Sequence, residues 1–281
     1  MEKIKEIIDK LKEADAVLIG ASNGLSISEG LHLFAENEAF VKLFADFREK
    51  YEIHSILQGM FWNFPTEEER WAFWSRLIWH YTYKYEVTDN MKTIRELVEG
   101  KPYFIVTSNG EGHFEAAGFK PENIYEIEGS FLEMQCARAC HNKRYPTKDV
   151  VEKMIKSEKN GWVPTELLPY CPVCGTPMRV HSAGERNFIE DQEAAFNLQE
   201  FLKTYHGKKL FILELGIGWR NQLIKAPLMN LCKQEKQATY VTVNKGEIYI
   251  WDDIKEKSYG LDGDMTEILM NLRQQYEGKE I

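Results

Sequence analysis

The stretch Ala16-Val-Leu-Ile-Gly20-Ala-Ser-Asn-Gly24-Leu-Ser26 decides the fold. Its first half is a short apolar run that ends in glycine, a pattern typical of a buried parallel strand. Its second half is a glycine-bearing turn, and an amphipathic helix is predicted over residues 3–14, just before the strand. The turn taken alone is weak support for a phosphate site, because its glycines do not reproduce the G-x-G-x-x-G spacing. Helix, strand and turn together nevertheless predict an α/β unit.

Four further apolar runs predict strands that end in small or polar residues: Tyr103–Thr107, Ile124–Ile127, Lys209–Leu215 and Ala238–Val243. Helical patterns separate them. We therefore predict an α/β fold with a Rossmann-type parallel sheet flanked by helices. Ligands of such sheets bind beyond the carboxyl ends of the strands, so these ends define a candidate site.

Residues 31–98 have a helical pattern and are strongly aromatic. The aromatic side chains crowd together in the second half of this segment, at Trp71, Phe73, Trp74, Trp79, Tyr81, Tyr83 and Tyr85. An aromatic box for a cofactor is one interpretation. Packing of helices around a shared core is the interpretation that we favour, because aromatic side chains dominate the buried area of helical cores.

The five cysteines fall into two close pairs, Cys136/Cys140 and Cys171/Cys174, with Cys232 alone. In a reducing compartment such pairs favour a metal over a disulfide, although a redox-active or an incidental set of cysteines is the alternative. Four thiolates would fill the tetrahedral shell of zinc and leave no position for water, so we predict a structural zinc site. We interpret Cys232 as a small core residue.

The composition sets limits on function. The chain has 281 residues, of which 43% are hydrophobic, and its formal net charge is -9. This charge would repel nucleic acids and anionic membranes, so we expect neither as a partner. No run approaches the roughly 20 apolar residues of a membrane span, and the first residues lack the apolar centre of a signal peptide. We therefore expect a cytoplasmic protein.

The motifs together resemble those of the sirtuin family in their order along residues 15–272. The matching segments are Gly20–Ser26, Thr107–Glu111, Glu128–Phe131, the two cysteine pairs, Gly216–Gly218 and Val241–Asn244. In the family they correspond to G-A-G-x-S, T-Q-N-x-D, H-G-S, the paired zinc cysteines, G-T-S and a strand ending in I-N. The resemblance implies NAD as co-substrate.

Within the family, the chain is most similar to the microbial macrodomain-linked sirtuins, called class M. The segments that carry this similarity are Trp71–Arg76, Cys140–Lys143 and Leu213–Gly216. The subgroup is implicated in protein ADP-ribosylation. The similarity therefore implies a protein substrate and a macrodomain protein as partner.

The resemblance also implies roles by position. Asn109 would face the nicotinamide ribose, and Glu111 would take the place of the aspartate that holds the carboxamide. The turn around the NAD phosphates would comprise Gly20, Ala21, Ser22, Gly24 and Ser26, and the adenosine half would lie against Gly216, Gly218 and Asn244. We predict an NAD-binding domain over residues 1–130 and 183–281, with the helical insertion 31–98, and a small zinc module over residues 131–182.

Three departures from the family pattern affect the predicted chemistry: Glu128 replaces the histidine of H-G-S, Glu111 replaces an aspartate, and Ser22-Asn23 replaces small residues. Deacylation by sirtuins requires a base, and an exposed glutamate near pKa 4.3 is a poorer base than histidine. Transfer of ADP-ribose to a protein side chain avoids that step. We therefore predict an NAD-dependent protein ADP-ribosyltransferase, with a deacylase that uses Glu128 or a non-catalytic NAD or ADP-ribose sensor as alternatives. In the predicted enzyme Asn109, Glu111 and Glu128 are the catalytic residues.

Overall fold

The computed structural model describes residues 2–278. These residues form a large sheet, a small sheet and the helices that pack around them. The strands are β1 (Ala16–Ala21), β2 (Tyr103–Thr107), β3 (Ile124–Glu126), β4 (Glu133–Cys136), β5 (Tyr145–Pro146), β6 (Met178–Val180), β7 (Leu210–Leu215), β8 (Thr239–Asn244) and β9 (Ser258–Asp262). The α-helices are α1 (Glu2–Glu13), α2 (Asn23–Ser28), α3 (Glu38–Tyr51), α4 (Ile56–Met60), α5 (Glu67–Ile78), α6 (Asp89–Leu97), α7 (His113–Ala116), α8 (Lys148–Ser157), α9 (Gln192–Thr204), α10 (Gln222–Gln234) and α11 (Met265–Tyr276). A π-helix, Trp79–Tyr83, continues α5.

The large sheet has six strands in the order β3-β2-β1-β7-β8-β9. Every neighbouring pair in it is parallel, which confirms the predicted Rossmann-type sheet. The chain leaves β1 towards β2 on one side and returns through β7 on the other, so the order reverses at β1. Such a reversal opens a crevice at the carboxyl edge, where ligands of open α/β sheets bind.

The predicted strands agree with the observed ones to within one residue at each end. The strand β9 was not predicted, because the sequence Ser258-Tyr-Gly-Leu-Asp262 has no apolar run to mark it. It is an edge strand, paired only through β8, and an edge position tolerates polar residues.

Helices cover both faces of the large sheet. On one face, α1, α6 and α11 bury Ile8, Ile94 and Leu269 against the strands. On the other face, α9 and α10 pack against Leu18 and Ile212. Burying a side chain of this size contributes about 1.5–3 kcal/mol relative to exposure, so the two faces together fix the sheet and the strand ends.

The helical insertion and the cysteine-bearing segment share one hydrophobic core. Trp71, Phe73 and Trp74 of α5 lie in the same buried cluster as Met154 of α8 and Val180 of β6. The aromatic segment is therefore helix packing, as we favoured, and no separate cofactor box is needed to explain it. The sequence places these two segments in different units, and that division remains a prediction.

Arg76 joins α3 to the end of α8. Its guanidinium forms bidentate ion pairs with Asp46 of α3 and Glu158, which follows α8. These carboxylates keep the arginine charged, although it is largely buried. Among residues 2–278, no helix is both long and apolar enough to span a bilayer.

Candidate active site and zinc centre

A cavity of about 210 Å³ opens at the carboxyl ends of β1, β2 and β3. The loops after β2 and β3 bring Asn109, Glu111 and Glu128 to its wall. Leu57 and Phe61, from α4 and the residue after it, form an apolar part of the wall. The three predicted catalytic residues, which are up to 19 positions apart, therefore line one cavity.

Asn109 is held rigidly but keeps one free acceptor. Its side-chain amide Nδ2 donates to the carbonyl oxygen of Ser22 at 3.1 Å, and its backbone N–H donates to Thr107 Oγ1 at 3.0 Å. Asn109 is only 7% exposed, yet Oδ1 has no hydrogen-bond partner among residues 2–278. Buried polar atoms are nearly always paired, so an unpaired one beside a cavity indicates a place for a ligand group.

Glu111 is buried and receives a hydrogen bond from the hydroxyl of Ser26, at the end of the β1 turn. This contact joins two of the predicted site residues across 85 positions of sequence. His113 also lies near the carboxylate, with its Nδ1 3.6 Å from Glu111 Oε1. His113 was not singled out from the sequence. The signal that could have revealed it is a histidine two residues after a predicted site carboxylate.

Glu128 lies at the mouth of the cavity with its side chain open to solvent. The protein atoms packed around its carboxyl group nevertheless raise its pKa, because they displace water that would stabilise the charge. Gly129 follows at φ 96°, and a Cβ there would lie 2.3 Å from the carbonyl oxygen of His181. Only glycine fits this position, so the backbone that carries Glu128 is fixed.

The turn after β1 contacts the loop after β7 directly. Gly24 and Gly216 approach so closely that a Cβ on Gly24 would lie 2.5 Å from Gly216 Cα. Gly24 N–H donates to the Gly216 carbonyl at 2.9 Å, and Gly216 itself has φ 66°. Gly20 serves packing, because a Cβ there would overlap Leu228 of α10. Ala21 is fully buried at the end of β1.

Ser22 is buried within a small group of hydroxyls and amides that the sequence did not reveal. Its Oγ accepts hydrogen bonds from Ser108 Oγ and from Asn221 Nδ2, both at 2.9 Å. The three residues come from the loops after β1, β2 and β7, so this group fixes the three strand ends relative to one another. Asn221, just before α10, could have been found by extending the predicted loop beyond Gly218.

Two of the predicted adenosine-side residues lie apart from the catalytic cavity. Gly218 has open space around its Cα, with Glu247 Oε2 as the nearest atom to a built Cβ at 3.7 Å. Asn244 ends β8, and its Nδ2 donates to the carbonyl oxygen of Glu247 at 3.0 Å. Both follow strands of the same parallel sheet, so they lie at its carboxyl edge, on the far side of β1 from Glu111.

A second and larger cavity of about 580 Å³ lies behind the Glu128 segment. Ser130 and Leu132 line it, whereas Gly129 and Phe131 line the first cavity, so the segment is a shared wall. Glu126 also lines the second cavity, and burial raises its pKa well above the ordinary value.

The four predicted zinc ligands come together. The Sγ atoms of Cys136, Cys140, Cys171 and Cys174 all lie within 4.8 Å of one another. The sulfurs of Cys136 and Cys174 are 3.5 Å apart, and those of Cys140 and Cys171 are 3.6 Å apart. Zn–S bonds of about 2.3 Å in a tetrahedron place sulfurs about 3.8 Å apart, so the set fits zinc.

The environments of the cysteines differ. Hydrogen bonds from the Thr176 side chain and backbone lower the pKa of Cys174 to about 6, whereas burial and the neighbouring thiols raise the pKa of Cys140. Zinc binds the thiolate form, so Cys174 is the ligand most readily deprotonated. Cys232 is fully buried on α10, and burial raises the pKa of its thiol to about 11. This confirms Cys232 as a core residue.

Known proteins share this architecture. Solved Sir2 structures have the same fold, and a Sir2 homolog–NAD complex aligns with a TM-score of 0.66 at 16% identity, covering 98% of this chain and 94% of that one. No protein-family model matches. A protein ADP-ribosyltransferase of Staphylococcus aureus (strain Mu50) is 33% identical over 273 residues, which are 95% of this chain and 85% of the relative. The chain belongs to the same family as this staphylococcal protein.

A second relative of the family comes from the fungus Fusarium oxysporum f. sp. cubense. It is described as a probable bifunctional ADP-ribose hydrolase/ADP-ribosyltransferase and is 28% identical over 223 residues. Those residues are 74% of this chain and only 36% of the fungal protein. The two relatives and the sirtuin fold agree with the resemblance found in the sequence motifs.

Proposed function

We propose that this protein is an NAD-dependent protein ADP-ribosyltransferase. The observation that carries the proposal is that Asn109, Glu111 and Glu128 line one cavity at the carboxyl edge of a sirtuin-type sheet. The described residues that line this cavity include no histidine. Family membership alongside the staphylococcal transferase supports the same reaction.

The reaction replaces one bond to the ribose C1′ by another. The bond between C1′ and the nicotinamide nitrogen breaks, and its electron pair leaves with the neutral nicotinamide. A side chain of the substrate protein then bonds to C1′, and a proton is released if that side chain carried one. The transition state resembles an oxocarbenium ion, so the site must hold the leaving amide and stabilise positive charge.

The described contacts suit those two tasks. The unpaired Oδ1 of Asn109 can accept a hydrogen bond from a ribose hydroxyl, and Glu111 can accept one from the carboxamide N–H₂. Glu128 lies at the cavity mouth, and its carboxylate would stabilise the developing cation.

The phosphate and adenosine assignments rest on the same edge of the sheet. We assign the NAD phosphates to the turn of Gly20, Ala21, Ser22, Gly24 and Ser26, and the adenosine half to Gly216, Gly218 and Asn244. The close contact between Gly24 and Gly216 supports a continuous surface between the two groups. Because the Ser22 hydroxyl bonds Ser108 and Asn221, it is turned into the protein and leaves the turn's outer surface free.

A deacylase is the second candidate, and one observation favours it. Partial burial raises the pKa of Glu128, which makes this carboxylate a stronger base than an ordinary glutamate. The two activities differ in product. Labelled ADP-ribose fixed to protein indicates transfer, whereas O-acyl-ADP-ribose indicates deacylation.

The subgroup, the cellular location and the partner of this protein are proposed from the sequence resemblance. We propose a class M sirtuin that acts in the cytoplasm, with a macrodomain protein as partner and residues 131–182 as its zinc module. The fungal relative, described as both hydrolase and transferase, supports a partnership between transfer and removal of ADP-ribose. The test is whether the macrodomain partner releases ADP-ribose that this protein has attached.

The main experiment measures nicotinamide release from NAD by the purified protein and by Asn109→Ala. We expect the variant to lose release almost completely while its melting temperature stays close to that of the wild type. Asn197→Ala, at a surface position of α9, is the matched control and should remain active. Unchanged release by Asn109→Ala would remove the site assignment.

A further inference from the structure

Glu111 is one methylene longer than the aspartate that it replaces, and so it has one more rotatable bond to fix. The hydroxyl of Ser26 fixes part of this freedom by donating to Oε1. The remaining neighbour is His113, which is 5% exposed and lies against the same oxygen atom. His113 has had no role in the function proposed so far.

The proton on Nε2 of His113 is accounted for by its partner. Nε2 lies 2.7 Å from the carbonyl oxygen of Tyr81, and a carbonyl oxygen only accepts hydrogen bonds. Nε2 therefore carries a proton. The charge of the ring then depends only on Nδ1, which faces Glu111 Oε1 at 3.6 Å and has no hydrogen-bond partner among the described residues.

The surroundings of Nδ1 favour the protonated ring. Without a proton, Nδ1 and the Glu111 carboxylate would be two buried acceptors facing each other, which is costly. With a proton they form an ion pair within 4 Å. The Tyr85 ring is stacked on the imidazole at 3.6 Å between centroids and 14° between planes, an arrangement that stabilises a cation.

The partner of the Tyr85 ring acts in the same direction. The hydroxyl of Tyr85 donates to the Glu29 carboxylate, which leaves the Tyr85 ring more electron-rich. Glu126 lines the same cavity of about 10 Å³ beside His113 and Glu111, but its raised pKa favours the neutral carboxyl group, so it adds no charge to this pair. No Lys or Arg lines this cavity among the described residues.

We propose that His113 is a positioning residue that acts as an imidazolium and holds the Glu111 carboxylate in place for the nicotinamide carboxamide. The proposal deepens the proposed transferase function and rests on it for its catalytic part. The ion pair limits the rotation of the Glu111 side chain, so that the carboxylate is ready to accept the amide N–H₂.

The first test reads the charge of His113 directly and needs no activity. Nitrogen-15 NMR of the histidine rings at pH 7 should show both nitrogens of His113 protonated in the wild type. In Glu111→Gln, the His113 Nδ1 signal should move to that of an unprotonated nitrogen. His206, whose Nδ1 pairs with Glu235 at the surface, is the control and should not change. A neutral His113 in the wild type would overturn the proposal.

The second test measures nicotinamide release. His113→Phe keeps a flat ring against Tyr85 but removes both nitrogens, and we expect kcat/KM for NAD to fall about 10- to 100-fold. His113→Gln returns an N–H donor and should recover part of that loss, which a purely structural role would not explain. Wild-type activity in His113→Phe contradicts the proposal. If the wild type releases no nicotinamide, the transferase function fails, while the NMR result still decides the charge of His113.

Discussion

Replacing Gly24 by alanine tests the contact that joins the two halves of the sheet edge. The new Cβ would lie 2.5 Å from Gly216 Cα and 2.7 Å from the Gly216 carbonyl oxygen. Carbon atoms pack at about 3.5–4.0 Å, so one loop must move by roughly 1 Å. Neither loop can shift at a low energetic cost, because the contacting atoms are backbone atoms and Gly216 has a positive φ.

Inserting a methyl group into a well-packed place costs about 1–3 kcal/mol, and we expect the upper end here. At roughly 2 °C per kcal/mol for a chain of this size, the melting temperature of Gly24→Ala should fall by about 6 °C. The displaced turn should also bind NAD at least about tenfold more weakly, since a shift of 1 Å in a positioned site can cost about a hundredfold.

The assay combines thermal unfolding with calorimetric titration of NAD. Gly218→Ala is the stability control, because Gly218 lies two residues after Gly216 and a Cβ there meets only Glu247 Oε2 at 3.7 Å. Its free energy of unfolding should change by less than about 0.5 kcal/mol. The reasoning is refuted if Gly24→Ala unfolds at the same temperature as Gly218→Ala and binds NAD like the wild type.

Three further predictions concern the zinc site, the two ion pairs of Arg76 and the carboxyl group of Glu126. Cys171→Ser, or chelation of the wild type, should lower the melting temperature, because the thiolate site stabilises the folded state; an unchanged value would contradict a structural zinc. Arg76→Lys should lower the free energy of unfolding, measured by urea denaturation, by about 2–3 kcal/mol, because lysine cannot form two bidentate pairs. A loss below about 0.5 kcal/mol would mean that the pairs contribute little to stability. The raised pKa of Glu126 means that folding favours its neutral form. The stability that this form contributes is present below about pH 4.5 and is lost as the pH rises through the pKa of Glu126 in the folded protein. Glu126→Gln should therefore be more stable than the wild type at pH 7, and equal stability there would show that the carboxyl group is not destabilising.

Local sequence patterns predicted the parts of the structure that depend on neighbours in the chain. The apolar run of β1 and the spacing of Cys171 and Cys174 are such patterns, and both led to the observed elements. These patterns could not predict contacts between segments that are far apart in the sequence. The stacking of Tyr85 on His113 depends on how α7 packs beside the end of the π-helix, and no periodicity encodes it.

The same distinction applies to the candidate site. Asn109 and Glu111 were predicted because they belong to a motif with a recognisable order. Asn221 was missed because its partner Ser22 is 199 positions away, and only the assembled sheet brings them together. The strand β9 was missed for the opposite reason, since its short polar sequence is stabilised by pairing with β8 and not by its own propensity.

The pairing of β1 with β7 has a consequence for how the molecule forms. Ala16 is in register with Leu210, and the intervening residues include the whole hydrophobic cluster that the helical insertion shares with the cysteine-bearing segment. Long-range parallel pairing forms slowly, because the entropy of closing so large a loop is lost before the contacts compensate for it. We therefore expect this cluster to gain structure first and the junction of Gly24 with Gly216 to close among the last steps, so that the ability to bind a dinucleotide reports completed folding.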